Sequence, residues 1–474
     1  MKFLHKICAV LMMTVFFIGG MFPHFSAAIT IKEEEELSRE FLKYVNSAFE
    51  IIEDPLIVGY INRIGQKILS HFPQQPFNYH FYVIKEDVYN AFATPAGHIF
   101  IYSGLIAAMD SEDELAGILG HEIAHVYCRH ISQKIERSKK VNMATLAGIA
   151  AGIFLGAAGA GEAAGALTMG SMAAGQSAML AYSRQDEVQA DQIGLQYLVD
   201  SGYSGEGLLS VLDKIRAKQW YGTDQVPTYL MTHPAVEDRL AYIDTYLENP
   251  NNRKPAEKKE PSRDFQIVHA RIVAFYSDEK VALNTFEAQL DKRPDDPIAN
   301  YGYGLALART NRYQEAVVHL KKALAQNAFD PVFISALGRV YFMNGRYAEA
   351  INTLKSATSV APSNAEALFY LGRTQMELGQ LQDAEDTFEK MLKSPPGHPQ
   401  VHYFIGKVYG MQGKLAEAHY HLGLYYLNRG DYQSAHIQLT QALELTQDTE
   451  RRQSIEQMLK QTRAVLSKSN RGSG

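Results

Sequence analysis

Gly304, Gly338, Gly372 and Gly406 stand 34 residues apart, and Ala316, Ala350, Ala384 and Ala418 keep the same interval. Pro294, Pro362 and Pro396 fall on that grid too, with Ala328 in the remaining slot. Three residue types holding one period leave chance little room. Small residues recur where two helices must approach closely and proline recurs where the second helix must stop, so each unit reads as helix, turn, helix. One such unit cannot bury its apolar face alone, and stacked neighbours can. Frames start near 263, 297, 331 and 365. From about 399 the register breaks: Gly423, Ala435 and Ala442 follow a grid shifted by 17 residues, half a unit, which is one helix. The helix near 415–428 therefore serves as second helix of one unit and first of the next. A last helix near 449–467 caps the stack, and the tail to 474 frays.

This pattern resembles the tetratricopeptide repeat, which implies an α-solenoid with a long concave face for clients or an assembly complex. The repeats take residues 263–448, with the capping helix and a disordered tail at 449–474. Ahead of them ENPNNRKPAEKKEPS, 248–262, is polar, charged and proline-bearing, and reads as a linker.

With 474 residues, 46% apolar and 21% charged, the chain has length for at least two cores and the composition of a globular protein. A net charge of −6 and no arginine-rich run exclude a broad basic face, so no nucleic acid is expected. Residues 1–28 read as an export signal: Lys2 and Lys6, then an apolar run from Ile7 to Phe22, then Ser26 to Ala28 as a small-residue cleavage site. An uncleaved anchor is the alternative. Either way the bulk of the chain is expected outside the cytoplasm. With Cys8 in that signal, Cys128 is left alone and forms no internal disulfide; it reads as a small buried hydrophobe.

Residues 29–247 make the other domain. KEEEELSREFLKYVNSAFEII favours helix, and Asp54-Pro55 reads as the cap and first turn of another, reaching about Phe72. FNYHFYVIK at 77–85 and HIFIYSG at 98–104 alternate partly, with VYNAFATPAG between them, and predict a small sheet of two or three strands. Helices resume at Ser111, where SEDE forms a capping box. The fold class is mainly α: a helical domain with a small β-sheet, then the solenoid. Residues 141–182 are rich in alanine and glycine, with Glu162 the sole charge between Lys140 and Arg184. They predict a helical hairpin that packs on the protein or touches a membrane surface peripherally, with a true span through 143–161 as the alternative.

HEIAH, residues 121–125, lies in the apolar segment LAGILGHEIAHVYC. Residues four apart on a helix differ by about 40° around its axis, so His121 and His125 project side by side and can share one ion. Glu122 is placed to take a proton from water on that ion. Two core histidines satisfied by hydrogen bonds are the bland reading, but burying two imidazoles and a carboxylate unpaired would cost several kcal/mol. A catalytic zinc needs a third protein ligand. His130 lies about 140° round the helix from His125 and faces away. SRQDEVQAD, 183–191, offers Glu187 as ligand, with Asp191 one turn on to accept a hydrogen bond from a ligand histidine. Alone it would read as an exposed acidic helix face.

HEIAH, SRQDEVQAD, NAFATPAGHIFIYSGL at 90–105 and THPAVEDR at 232–239 resemble, in order, the signatures of the M48 family of zinc metallopeptidases. With the export signal and the repeats, the whole resembles the periplasmic branch of that family. The resemblance implies a metalloprotease domain of the zincin type, with one Zn2+ per chain held by His121, His125 and Glu187, Glu122 as general base and Asp191 behind a histidine. It implies an edge strand around Asn90, Ala91 and Phe92 that pairs with extended substrate. His233 has three readings: oxyanion donor, fourth zinc ligand that locks the resting site, or loop anchor, with Arg239 as its support. Ala96 departs from the family, which more often has a second glycine there, and bears on the turn geometry. The implied function is quality control or assembly of outer-membrane proteins, with unfolded or misassembled envelope proteins as substrates and an outer-membrane assembly complex as repeat partner. The alternative is an envelope chaperone or adaptor whose protease site is locked or dispensable.

Overall fold

A computed structural model describes residues 29–137, 182–221, 227–249, 261–393 and 399–469. The expected signal at 1–28, all of 141–182 except Tyr182, most of the 248–262 linker and the last tail residues lie outside them. The chain divides into two compact units, one of residues 60–261 with those up to Ile52, the other of Glu53–Gly59 with Ser262–Gly474.

In the first unit, a helix at Ile31–Ala48 opens on a capping box from Thr30 and Glu33. The helix Pro55–Leu69, whose first turn to Gly59 is counted with the second unit, begins as Asp54-Pro55 predicts, with Asp54 Oδ1 accepting from the backbone of Leu56 and Ile57. Three strands follow: β1, His80–Ile84, β2, Ala91–Thr94, and β3, His98–Tyr102. The sheet order is β1-β3-β2, with β1 parallel and β2 antiparallel to the central β3. Phe92 and Phe100 of this sheet share a core with Phe41 and Val45 of the first helix and with Phe49 just after it. The turn between β2 and β3 places Ala96 at φ 60° and Gly97 at φ 86°. Ala96 thus holds a left-handed conformation that costs a residue with a Cβ roughly 1 kcal/mol, the position where glycine was missed.

The HEIAH segment lies on the helix Glu112–Tyr127, whose N-cap Ser111 accepts from the Glu114 backbone. The second half of the expected box is absent: the Glu114 carboxylate accepts from Asp110 N, Ser210 and Lys214 instead. Cys128 closes the helix and is half-buried, not fully buried, with burial pushing its thiol up to about 11. The helix Arg184–Asp200 carries EVQAD. It crosses the HEIAH helix where Gly120 meets Gly194; a Cβ on Gly194 would sit 3.0 Å from the Gly120 carbonyl oxygen. That close approach, one residue before His121, brings the two motifs into reach.

The second unit is a run of helix pairs from Arg263–Tyr276 to Thr449–Ser469. Each gridded glycine is packed on the second helix of its pair: a Cβ on Gly304, Gly338, Gly372 or Gly406 would meet Leu320, Leu354, Phe388 or Leu422 at 2.6–3.1 Å. Gly423 meets Leu439 in the same way, so the helix Leu415–Asn428 packs as a first helix against Tyr432–Leu445, as the shifted grid predicts. No described helix is long and apolar enough to cross a membrane.

Candidate metal centre

His121, His125, Glu187 and His233 each aim one ligand atom at a common point, all within 4.8 Å of one another and all buried. His121 Nε2 and His125 Nε2 are 2.9 Å apart. Glu187 lies 3.5 Å from the first through Oε2 and 3.4 Å from the second through Oε1. His233 Nδ1 completes the set, 3.3 Å from His121 Nε2 and 3.1 Å from Glu187 Oε1. A tetrahedral zinc with bonds of about 2.0–2.1 Å separates its ligand atoms by roughly 3.3–3.4 Å, so the donor set has the dimensions and the nitrogen and oxygen chemistry of a zinc site. Three imidazole nitrogens face one another here around one carboxylate.

The surroundings fix which nitrogen of each ring is free. His121 Nδ1 is 2.8 Å from Asp191 Oδ1, and only an Nδ1–H can donate to a carboxylate, which leaves the Nε2 lone pair toward the centre. For His125 the partner is His130. Its Nδ1 is 2.9 Å from His125 Nδ1, while its Nε2 is 3.0 Å from Gln189 Oε1 and 3.9 Å from Asp186 Oδ1. His130 Nε2–H donates to Gln189, so His130 Nδ1 accepts from His125, and His125 keeps a free Nε2. His130 lies outside the donor set, but it does not face away as its angle on an unbroken helix predicts. It sits behind His125, because the helix break at Arg129, φ 54°, swings it back.

Arg239 is 1% exposed and grips Asp191 with two hydrogen bonds of 2.8 Å, while its Nη1 lies 2.8 Å from Glu187 Oε2. It therefore supports the carboxylates of the centre rather than His233. His233 is held by its neighbours: its backbone N–H donates to Tyr229 O at 2.8 Å, and its ring stacks on that of Tyr229 at 4.3 Å. Tyr182 stacks on His125 at 3.6 Å and donates its backbone N–H to Thr232 O at 3.0 Å. Sequence reasoning missed Tyr182, Tyr229, His130 and Gln189, and no spacing rule marks them.

Charge follows position. Burial pushes His125 well below its ordinary value, assisted by His121, so it stays a neutral ligand. Burial and Arg239 push His121 down, yet Asp191 and Glu187 outweigh them and raise it to about 9, so the pocket attracts positive charge. Burial raises Glu187, but His233 and Arg239 overcome it and hold the carboxyl well below the usual range. Burial lifts Glu122, against His233 and His121. Both oxygens of Glu122 lack a hydrogen-bond partner, and His233 Nε2 is 3.5 Å from one of them.

Ala91 and Phe92 lie in β2, an edge of the sheet by pairing, and Asn90 immediately precedes it. All three are fully buried, so the edge is covered in this state.

Residues 58–247 match Peptidase family M48. Over that stretch, less than half of the chain, the protein is similar to M48 metallopeptidases. Residues 280–331, 341–408 and 416–449 match tetratricopeptide repeats, the last starting on the shifted grid. The chain is 30% identical over 304 residues to the β-barrel assembly-enhancing protease of Escherichia coli K12, covering 63% of this chain and 61% of that protein. A putative β-barrel assembly-enhancing protease of Vibrio cholerae is 27% identical over 66% of this chain and 64% of its own length. The mitochondrial metalloendopeptidase OMA1 of Schizosaccharomyces pombe is 26% identical over 40% and 52% respectively. The match thus spans less than two thirds of the length of these relatives. His121, His125, Glu187, Asp191, His233 and Arg239 all fall inside the M48 domain.

Proposed function

We propose that the chain is a zinc-dependent endopeptidase of the bacterial periplasm acting in quality control or assembly of outer-membrane proteins, with the repeats recruiting clients or an assembly complex. The observation that carries the hydrolytic part is the convergence of three histidines and Glu187 beside a carboxylate, Glu122, whose two oxygens are buried and unpaired. The names of the relatives support the client class.

His121, His125 and Glu187 would hold the zinc, which supplies Lewis acidity toward a water and the scissile carbonyl. Glu122 accepts the proton of the attacking water and delivers it to the leaving amine. Its burial favours the protonated form, which suits a base that must give its proton back. Asp191 and His130 hold the two imidazoles in the ligating tautomer, and Arg239 offsets the two carboxylates. His233, whose Nδ1 joins the donor set, would hold the place that a water and the carbonyl need, a resting lock that Tyr229 to His233 would have to leave for turnover.

Metal analysis of the mature protein, with casein cleavage measured beside Glu122→Gln and beside chelator, tests this reading. One zinc per chain and cleavage lost in both controls is expected; cleavage that survives both refutes it. The same lock favours a second reading, an envelope chaperone or adaptor whose protease is dispensable. His233→Ala separates them: raised basal cleavage marks a lock over a working enzyme, lowered cleavage marks a catalytic His233, and none in either form favours the adaptor.

A further inference from the structure

The repeats carry a column of cations that is only half satisfied. Arg339, Arg373 and Lys407 stand at successive 34-residue intervals, and Arg271 stands two intervals before Arg339 with Leu305 between. These are equivalent places on first helices of the stack. At one end the column is filled from within the unit: Arg271 donates through Nε to Asp54 at 2.6 Å and through both terminal nitrogens to Glu366 at 2.9 Å, and Arg339 donates to the same Glu366 at 3.3 Å. What this column accepts is therefore visible: a carboxylate set between neighbouring first helices.

Arg373 and Lys407 have none. Neither forms an ion pair or a hydrogen bond among the described residues, and Arg373 Nε is hidden from solvent with no partner. The Arg373 guanidinium lies 4.5 Å from the Phe342 ring centre, 4.9 Å from Phe404, 5.5 Å from Tyr370 and 5.6 Å from Phe369, rings of three successive first helices. Lys407 stands exposed, 5.9 Å from the Tyr403 ring. Aromatic faces hold a guanidinium by its flat sides and leave its fork of N–H donors for a carboxylate.

We propose that Arg373 and Lys407 form a docking site for an extended acidic segment of a partner protein, one carboxylate to each cation and an apolar side chain against the half-buried rings between them. Helices in contact lie about 8–10 Å apart, and an extended chain rises about 3.3 Å per residue. The site therefore selects acidic residues about three positions apart. It deepens the recruiting role proposed for the repeats, and it stands apart from the metal chemistry: peptide binding can fail with hydrolysis intact, and the reverse.

The test is fluorescence anisotropy on the full mature chain carrying Glu122→Gln, so that no probe is cut. The probe is a labelled ten-residue peptide with two glutamates three positions apart around a leucine, beside its glutamine counterpart. We expect the acidic peptide to bind about tenfold more tightly, to weaken as salt rises, and to lose most of that advantage in Arg373→Gln and in Lys407→Gln but not in Lys322→Gln, an exposed cation of a second helix. Thermal melts check folding; should Arg373→Gln unfold, the exposed Lys407→Gln carries the test. Equal affinity for the two peptides, or equal loss in Lys322→Gln, overturns the proposal. So does binding of phosphatidylglycerol vesicles without binding of the peptide, which would give the face to a membrane.

Discussion

Two buried charge networks lie in this chain, and they are built differently. Around Arg271 every group has an answer: Asp54, Glu366 and the Tyr301 hydroxyl all meet the guanidinium. Around His121 they do not: both oxygens of Glu122 and Nε2 of His233 are hidden from water without a hydrogen bond. A buried polar atom left unpaired costs about 1–3 kcal/mol, so the cluster around Glu122 and His233 lowers stability where the Arg271 network does not. The repeat network is a fastening; the other network leaves polar atoms unpaired beside four side chains that could hold a metal ion.

That contrast can be broken most sharply at Glu122. Glu122→Gln should lower peptide hydrolysis by about 10³-fold while leaving zinc content and the melting of the repeats unchanged; a small loss of rate would mean its unpaired oxygens serve structure. Next comes Arg271→Met, which strands two buried carboxylates and should destabilise the repeats by about 3 kcal/mol in urea titration, with cleavage of a short peptide by the M48 domain retained. Adding Glu366→Leu should recover part of the loss, and failure to do so would deny that the pair is a unit.

A third test uses pH. His421 stacks on His402 with their Nδ1 atoms 2.9 Å apart, and burial, helped by His402 and Arg451, lowers it to about 3 from 6.5. The unfolded chain then binds the extra proton first, so this contribution to stability is complete above pH 6.5 and drains away as pH falls toward 3. The repeats should be about 2 kcal/mol less stable at pH 5 than at pH 7 from this site, and His421→Phe should flatten that dependence. The smallest effect is expected behind the metal. His130→Phe should weaken zinc affinity roughly tenfold, read by competition with a chelating dye, while leaving one zinc per chain at saturation. Unchanged affinity would show that His125 needs no partner to keep its tautomer.

Much of this was legible beforehand because it depends on intervals. A helix turns by a fixed angle, so HEIAH and the Glu187 to Asp191 spacing each placed two groups on one face, and a stacked repeat must return its small residues at a fixed period. The half-unit shift at Gly423 was readable for the same reason. Other features carry no interval. Tyr182 and Tyr229 reach the centre from separate segments, His130 turns inward only because Arg129 takes a left-handed conformation, and the covered state of β2 depends on what packs over it.

By itself the sequence determined the local geometry: the repeat period, the paired imidazoles, the cap at Asp54 and the tight turn at Gly97. Only the tertiary structure decided that Glu187 meets those imidazoles across the Gly120 and Gly194 crossing, that Arg239 serves Asp191 and Glu187, and that His233 Nδ1 stands 3.1 Å from Glu187 beside them. The physical reason is that covalent geometry fixes relations along a few residues, whereas ligand distances between segments more than forty residues apart are set by close packing, in which a single Cβ would hold two helices apart.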